Sequence, residues 1–491
     1  MEFTRRQWLQ SIVPVLGIPL WSIGQNARIA NIIVEENQKP GTTEWLLNNP
    51  SVSPPHALWH MFGLRSAAIE GYCSHMSIAQ GEVLDFFVSS DPAESFLISI
   101  YRMGYYGGKG GRLMHRSGHL PGVTQAVPMA GPNRVIECAW KKSYSLQIPE
   151  DWISGVYIAK LTTGKQPAAD SYCIFIVRDN RPCDYLFQCS DMTWQAYNRW
   201  PYNNSLYCTE EIDWHIGSGV DVSIRRPYGK YTQLVDQNLT VGSGEWFLTE
   251  FPFAFWLEKE GYDVSYVSNW DTHYHPEALM RARGFLSIGH DEYWTQQMFD
   301  GVKQAIQQGL SVAFFSGNSV FCKIKLKSGK DGTSDIVFER DGRFSPRENT
   351  LIGAHSHNIV VGGADYICTR PDHWIYDKTG MKSGDQIPGL IGWEFHCDPA
   401  EIEGLEIIAS GPTDDRRFLK AGELVGKVGE YMTTIYSGPK ENFVFNASTC
   451  WWADGLSEPP GYLRSSWYQK RFGPDQRVMQ MTRNILDRMV R

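Results

Sequence analysis

The sequence predicts two kinds of domain in one chain: an all-β sandwich over residues 66–180, then a doubly wound α/β domain with β insertions over 181–491. Two observations carry this. Between Ile69 and about Val177, short runs rich in β-branched and aromatic residues recur at roughly ten-residue spacing between turn residues, as in a sandwich. Beyond "RDNRPCDYL" the texture changes, and apolar strand-like runs alternate with amphipathic helical ones, which implies a parallel sheet. A chain of 491 residues has room for about two to four domains, and 42% hydrophobic with 20% charged residues is an ordinary folded composition.

The first 30 residues, "MEFTRRQWLQSIVPVLGIPLWSIGQNARIA", set Arg5 and Arg6 ahead of Trp8, Leu9 and a short apolar run. This pattern resembles a bacterial twin-arginine export signal, so a signal or N-terminal anchor and a periplasmic location are expected; failing that, an amphipathic helix and a cytoplasmic one. The apolar run is only about a dozen residues long and contains Pro14 and Pro19, too short to cross a membrane. No integral membrane span is expected. Residues 31–65, with "NNPSVSPPHALW", read as an extended linker.

Within the sandwich, the expected strands are "GEVLDFFVSS", "SFLISIYRMG", "RVIECAWKKSYSLQIP", "GVYIAKLTT" and "SYCIFIVRD". The last two look like the closing hairpin of an immunoglobulin-like domain. In the second domain, "DYLFQCS" (184–190), "DVSYVS" (263–268), "GFLSIG" (284–289) and "LSVAFFS" (310–316) are strands. "EWFLTEFPFAFWLEKEGY" is a helix, and "TQQMFDGVKQAIQQG" is another, capped by Thr295 and stopped by Gly309. After Phe321 comes a polar excursion to about Thr350, then further β-like pieces and a C-terminal helix at about 475–490.

A net charge of −8 without a basic run excludes nucleic acid and anionic membrane surfaces as partners. The 18 Trp and 23 Tyr suit a sugar site or a sandwich core, and the core reading is favoured. Ten cysteines without a C-x-x-C argue against a structural zinc site; most read as small buried hydrophobes, with room for one or two disulfides in a periplasmic protein.

In an open α/β sheet, ligands bind beyond the carboxyl ends of the strands. The four predicted strands run into "DMTWQAYNRWPY", "NWDTHYH", "HDEYW" and "GNSVF", each carrying carboxylate, imidazole, phenol or amide groups. In "GHDEYW" (289–294), Asp291 and Glu292 are expected in the first turn of the next helix, where its dipole stabilises negative charge. His290 and Tyr293 have no such structural excuse and are the better functional candidates. "SGNSV" puts Asn318 where a glutaminase would carry its cysteine, so thiolate-driven glutamine hydrolysis is not expected. "GYYGGKGG" lacks the ending of a phosphate loop, and "HYH" (273–275) and "HSH" (355–357) lack the barrel repeat that makes such pairs metal sites.

Taken in order, "IEGYCSHMSIAQGEVLDFFVSS", "IYRMGYYGGKGGRLM", "DMTWQAYNRW", "LEKEGYDVSYVSNWDTH", "LSIGHDEYWT", "FFSGN", "DHWIYDKTGM" and "IPGLIGWEF" resemble one family. It is the family named after the C-terminal region of the N,N-dimethylformamidase large subunit, and the resemblance spans roughly residues 65–455. It implies an immunoglobulin-like domain followed by a flavodoxin-type, class I glutamine-amidotransferase-like α/β domain. It further implies hydrolysis of a small amide C–N bond by a single iron held by two tyrosinates and a glutamate, with a histidine nearby and no nucleotide cofactor. Carried onto this chain, Tyr293 is the leading ligand, with Glu394 as carboxylate and Glu292 as its rival. The second tyrosine is Tyr197 or Tyr228. His290 or His373 serves as general base, and Asn318 completes the catalytic candidates. The resemblance also implies a homo-oligomer or a small partner subunit. An alternative of another class is a non-catalytic periplasmic or envelope protein whose aromatic cleft binds carbohydrate or peptide.

Overall fold

The computed structural model describes residues 31–50, 65–202, 204–206, 220–230, 238–344, 347–355, 361–413, 418–420, 423–425, 429–462 and 473–491. The twin-arginine stretch lies outside them. Residues 32–491 form one unit. The stretch read as an extended linker opens with a short helix, Ile32–Asn37, and its Trp45 is fully buried, stacked on Phe247 at 5.4 Å.

A three-stranded sheet (Glu70–Cys73, Val83–Ser89, Tyr144–Gln147) faces a five-stranded one (Ser77–Ala79, Phe96–Met103, Gly111–Arg116, Gly155–Thr163, Asp170–Arg178). Alternate residues point inward, so Leu84, Phe86 and Val88 of one sheet meet Ile98, Ile100, Tyr157 and Phe175 of the other in one core. Of "RVIECAWKKSYSLQIP", only Tyr144–Gln147 is strand. The apolar residues before it, Ile136, Cys138 and Trp140, instead pack with Tyr72 and Trp200 in a satellite cluster. Alternation there serves local burial without a ladder.

The second half is built on a seven-stranded sheet: β1 (Cys183–Cys189), β2 (Val264–Ser268), β3 (Ala282–Gly289), β4 (Ser311–Ser316), β5 (Glu406–Pro412), β6 (Glu430–Ser437) and β7 (Phe443–Asn446). Its order is β2-β1-β3-β4-β7-β6-β5, parallel from β2 to β7 and antiparallel for the last two pairs. The chain leaves β1 toward one edge and returns past it to β3, so the strand order reverses between β1 and β3. In open α/β sheets such a reversal is where ligands bind, outside the carboxyl ends of the strands.

The helices that bear on the site and its sheet are α1 (Asp191–Tyr197), α2 (Phe251–Lys259), α3 (Asn269–Tyr274), α4 (Gln296–Gln308) and α5 (Gln476–Met489). In α4, Met298, Phe299, Val302, Ala305 and Ile306 are buried at helical spacing; Thr295 Oγ1 accepts from the Met298 N–H, and Gly309 ends the helix at φ 108°. The helix expected over "EWFLTEFPFAFWLEKEGY" divides into a π-helical segment, Trp246–Glu250, and α2.

One expectation is overturned. Asp291 and Glu292 do not sit in the first turn of a helix, because Tyr293–Thr295 is a strand and α4 starts only at Gln296. The strand exists because it pairs in parallel with Cys322–Ile324, a partner distant in sequence. The polar excursion after Phe321 begins as a hairpin, Cys322–Lys327 with Val337–Arg343, and joins a four-stranded sheet with Tyr293–Thr295 and Asp221–Ser223. The nine described cysteines are buried free thiols. Among the described residues, no helix is long and apolar enough to cross a membrane.

Candidate metal centre at the strand exits

The exits of β1 and β3 meet at the switch point. β1 runs into α1, which carries Tyr197, while β3 ends on Gly289 and delivers His290, Asp291 and Glu292. Gly289 has φ 74°, and a Cβ there would fall 2.5 Å from the Thr249 Cβ, so only glycine lets the π-helical segment lie against this turn. A third element supplies Glu394. The strand Gln386–Glu394 is stitched to the exit of β7 by the Gly392 N–H donating to Thr449 Oγ1 (3.0 Å) and the Cys450 N–H donating to the Gly392 carbonyl (2.8 Å). From β4, the Gly317 backbone approaches the Glu394 carbonyl so closely that a Cβ would stand 2.2 Å from it. Asn318 comes next with φ 49°, a left-handed conformation that asparagine tolerates.

These elements close around His290, which is 1% exposed. Its Nδ1 lies 3.2 Å from Glu245 Oε2; its Nε2 lies 2.7 Å from Glu394 Oε2 and 3.3 Å from Glu292 Oε2. Tyr197 Oη donates to Glu292 Oε2 at 2.7 Å, and the Cys322 thiol donates to Glu292 Oε1 at 3.1 Å. Tyr293 is fully buried; its ring meets that of Tyr197 edge-on at 6.3 Å, and its hydroxyl borders the Cys322 thiol. Thr193 Oγ1 accepts from the Glu292 and Tyr293 N–H groups at 3.1 and 3.2 Å, which fixes the turn.

Asp291 faces away into a separate network. Gln188, Asn269 and Ser287 donate to it at 2.6, 3.1 and 2.9 Å, so it is a satisfied scaffold acid. Tyr228 is buried beside Gln195 and Met76. His373 lies elsewhere: it caps the Trp374–Tyr376 turn, with Nε2 3.8 Å from Glu406 Oε1. His273 bonds Thr295 at 2.8 Å while His275 is exposed beside Glu277, so "HYH" is not one donor pair; part of "HSH" lies outside the described residues. The structure thus brings together His290, Tyr293, Glu394, Tyr197 and Glu292, keeps Asn318 on an adjoining turn, and leaves His373 out. Glu245 was not foreseen.

Electrostatics make this cluster unusual. Burial alone would push the His290 imidazole down, but Glu394, Glu245 and Glu292 outweigh it and hold it well above its ordinary value. Burial pushes Glu394 up, with His290 opposing, and Glu245 is raised for the same reason. Burial also works against ionised Glu292, yet His290, Cys322 and Tyr197 bring it net below the ordinary carboxylate range. Three carboxylates face a single imidazole. Fully ionised, the cluster would bury two negative charges without compensation, a cost a cation removes.

Ligand atoms of His290, Glu292 and Glu394 lie within 4.8 Å of one another. The contact between His290 Nε2 and Glu394 Oε2 is short in distance but off-axis as a hydrogen bond, and neither atom has an aligned partner. Two buried groups, His290 Nε2 and Glu394 Oε2, that converge without satisfying one another fit a metal ion. Carboxylate and phenol oxygens with one imidazole are a hard donor set, suited to iron and unlike the thiolates of a structural zinc site.

Fold and site together define a mixed α/β protein with a buried, acid-rich candidate metal centre at a topological switch point. The chain belongs to the family described as N,N-dimethylformamidase beta subunit-like, C-terminal, which matches residues 97–465. No curated protein matches the chain. Among solved structures it is similar to "mmIFT52 N-terminal domain" at 10% identity, over 47% of this chain and 86% of that one, with a TM-score of 0.26.

Proposed function

We propose that this protein hydrolyses a small amide at a C–N bond, in the manner of the amidase that names its family, with one iron ion at the switch point. The observation that carries this is the buried excess of carboxylates around His290, at the strand exits beside which open α/β sheets bind ligands. Tyr197, Glu292 and Glu394 supply the converging oxygen donors, and Tyr293 is a second phenol in the same shell. The finer reading of the fold, an immunoglobulin-like sandwich and a glutamine-amidotransferase-like α/β domain, is part of the same proposal.

When bound, such a metal supplies Lewis acidity toward an amide carbonyl and lowers the pKa of water. The protein groups do the rest. His290 Nε2 takes a proton from water as the water oxygen bonds to the carbonyl carbon; the same proton passes to the amide nitrogen as the C–N bond breaks, leaving a carboxylic acid and an amine. Glu394, 2.7 Å from Nε2, steadies the imidazolium between these transfers. Asn318, on the turn against the Glu394 backbone, is assigned as an amide donor to the substrate carbonyl. His373 is not used.

Metal analysis of the purified protein tests the reading. Iron near one per chain, with a tyrosinate charge-transfer band and hydrolysis of simple formamides, is the expected result. Tyr197→Phe is expected to lower hydrolysis by about 100-fold and to weaken or shift the band. A colourless, metal-free, folded protein inactive on formamides would overturn it. We also read residues 1–30 as an export signal; replacing Arg5 and Arg6 by Lys is expected to retain the protein in the cytoplasm, and unchanged export would refute the signal.

A further inference from the structure

We propose that Glu245 is a positioning residue for His290, holding its ring and its Nδ1 proton so that Nε2 alone faces the reacting groups. The inference rests on the amide-hydrolysis reading, and the local geometry points to it from three sides.

The first is the contact. Glu245 is 1% exposed, its Oε2 is 3.2 Å from His290 Nδ1, and its Oε1 has no hydrogen-bond partner. A buried carboxylate costs free energy, so one held against a single imidazole nitrogen calls for a reason. The usual structural reason fails. Glu245 stands at the N-cap of the π-helical segment Trp246–Glu250, yet its side chain makes no capping hydrogen bond.

The second is the arm that carries it. In "VGSGE", Gly242 has φ 88°, and a Cβ there would stand 2.0 Å from the Tyr172 carbonyl oxygen. Gly244 has φ 58°, and its Cβ would stand 2.8 Å from the Trp194 Cβ. Two left-handed, sterically closed positions lead the chain into place just before the carboxylate. The third is the π-helical segment that begins right after Glu245, a form rare in proteins and common at functional sites. Its Thr249 is the group that excludes a side chain from Gly289, next to His290. One element therefore presses on both sides of the histidine.

The chemistry is direct. A neutral imidazole carries one proton, and a general base must keep it on the nitrogen that does not react. With Glu245 accepting from Nδ1–H, the lone pair belongs to Nε2, the nitrogen beside Glu394 and Glu292. The same carboxylate–imidazole contact fixes ring and tautomer of histidines at metal sites, where removing the carboxylate typically lowers activity or metal affinity by about 10–100-fold.

The test uses the full-length protein labelled with 15N-histidine, both as purified and after metal removal, in wild type, Glu245→Ala and the isosteric Glu245→Gln. In the metal-free wild type, at a pH high enough that the ring is neutral, the His290 resonances, assigned by their loss in His290→Gln, are expected to show the single proton held on Nδ1; in Glu245→Ala under the same condition that preference is expected to disappear. As purified, both Glu245 variants are expected to retain the metal, with kcat lowered by about 10–100-fold and KM little changed. Glu245→Gln guards against a folding defect in the alanine variant, because it keeps the side-chain volume. An Nδ1 proton that is absent in the wild type, or unmoved in both variants, would overturn the proposal. If the wild type hydrolyses no amide, the amidase reading fails by itself, and the tautomer measurement still decides the case of Glu245.

Discussion

Two buried ionic clusters face each other in kind within this molecule. At the seam between the sandwich and α2, Arg102 is completely buried, and both its terminal nitrogens reach Glu258, at 2.8 and 3.0 Å. Tyr266 and Asn37 donate to the remaining Glu258 lone pairs at 2.9 and 2.8 Å. Nearby, Glu36 accepts from Arg112, Lys39 and Tyr106. Positive and negative groups close on one another, and both carboxylates are saturated. At the strand exits, His290 is equally buried but meets three carboxylates, two of which, Glu245 and Glu394, keep an oxygen with no aligned partner. A balanced cluster of this kind joins two layers; an unbalanced one is held in place by the fold in order to bind or transfer something.

Cutting the balanced cluster should have the largest effect on stability. Arg102→Ala leaves Glu258 buried without its cation and should cost about 3–5 kcal/mol in urea unfolding, while activity per folded molecule stays close to wild type. A loss well under 1 kcal/mol would mean that Arg102 and Glu258 are not a closed pair. The unbalanced cluster should respond with the opposite sign. In metal-free protein, Glu394→Gln removes one of the crowded charges and should raise stability by about 1–2 kcal/mol, at the expense of hydrolysis. Destabilisation of the same size would place Glu394 among the scaffold acids.

The smallest contrast concerns pH. Burial pushes the Glu36 carboxyl up, but Arg102, Lys39 and Arg112 outweigh it, so its folded value lies below the ordinary one. Its contribution is therefore full above about pH 4.5 and lost as the pH falls through the lower folded value. Glu36→Gln should cost about 1 kcal/mol at neutral pH and progressively less in acid, as read from denaturant midpoints across that range. A pH-independent cost would remove Glu36 from the charge-balanced set.

Much of this contrast was invisible along the chain, for identifiable reasons. His290 could be singled out because a helix start has no use for an imidazole, and its place after an apolar run marked a strand exit. Along the sequence Glu292 reads as a helix-start acid, since three residues of strand between it and α4 form only by pairing with Cys322–Ile324. Glu394 entered through the family resemblance alone; the hydrogen bonds from Gly392 and Cys450 that carry it to the site join segments nearly sixty residues apart. Glu245 looked like the first residue of an ordinary helix. The pair of glycines before it was a local signal, but what they avoid, Tyr172 and Trp194, is distant in sequence.

By itself the sequence determined the features that depend on near neighbours: the alternation of the sandwich strands, the amphipathic α4 with Thr295 and Gly309 at its ends, and the polar character of each strand exit. These arise from side-chain period, capping and turn chemistry, which act over a few residues. Only the tertiary structure decided which exits meet. Strand order is a property of the whole sheet, and the meeting of the β3 exit with the arm before Trp246–Glu250 and with the end of Gln386–Glu394 gathers one histidine and three glutamates from three separated segments into a single buried group, which no local rule could have assembled.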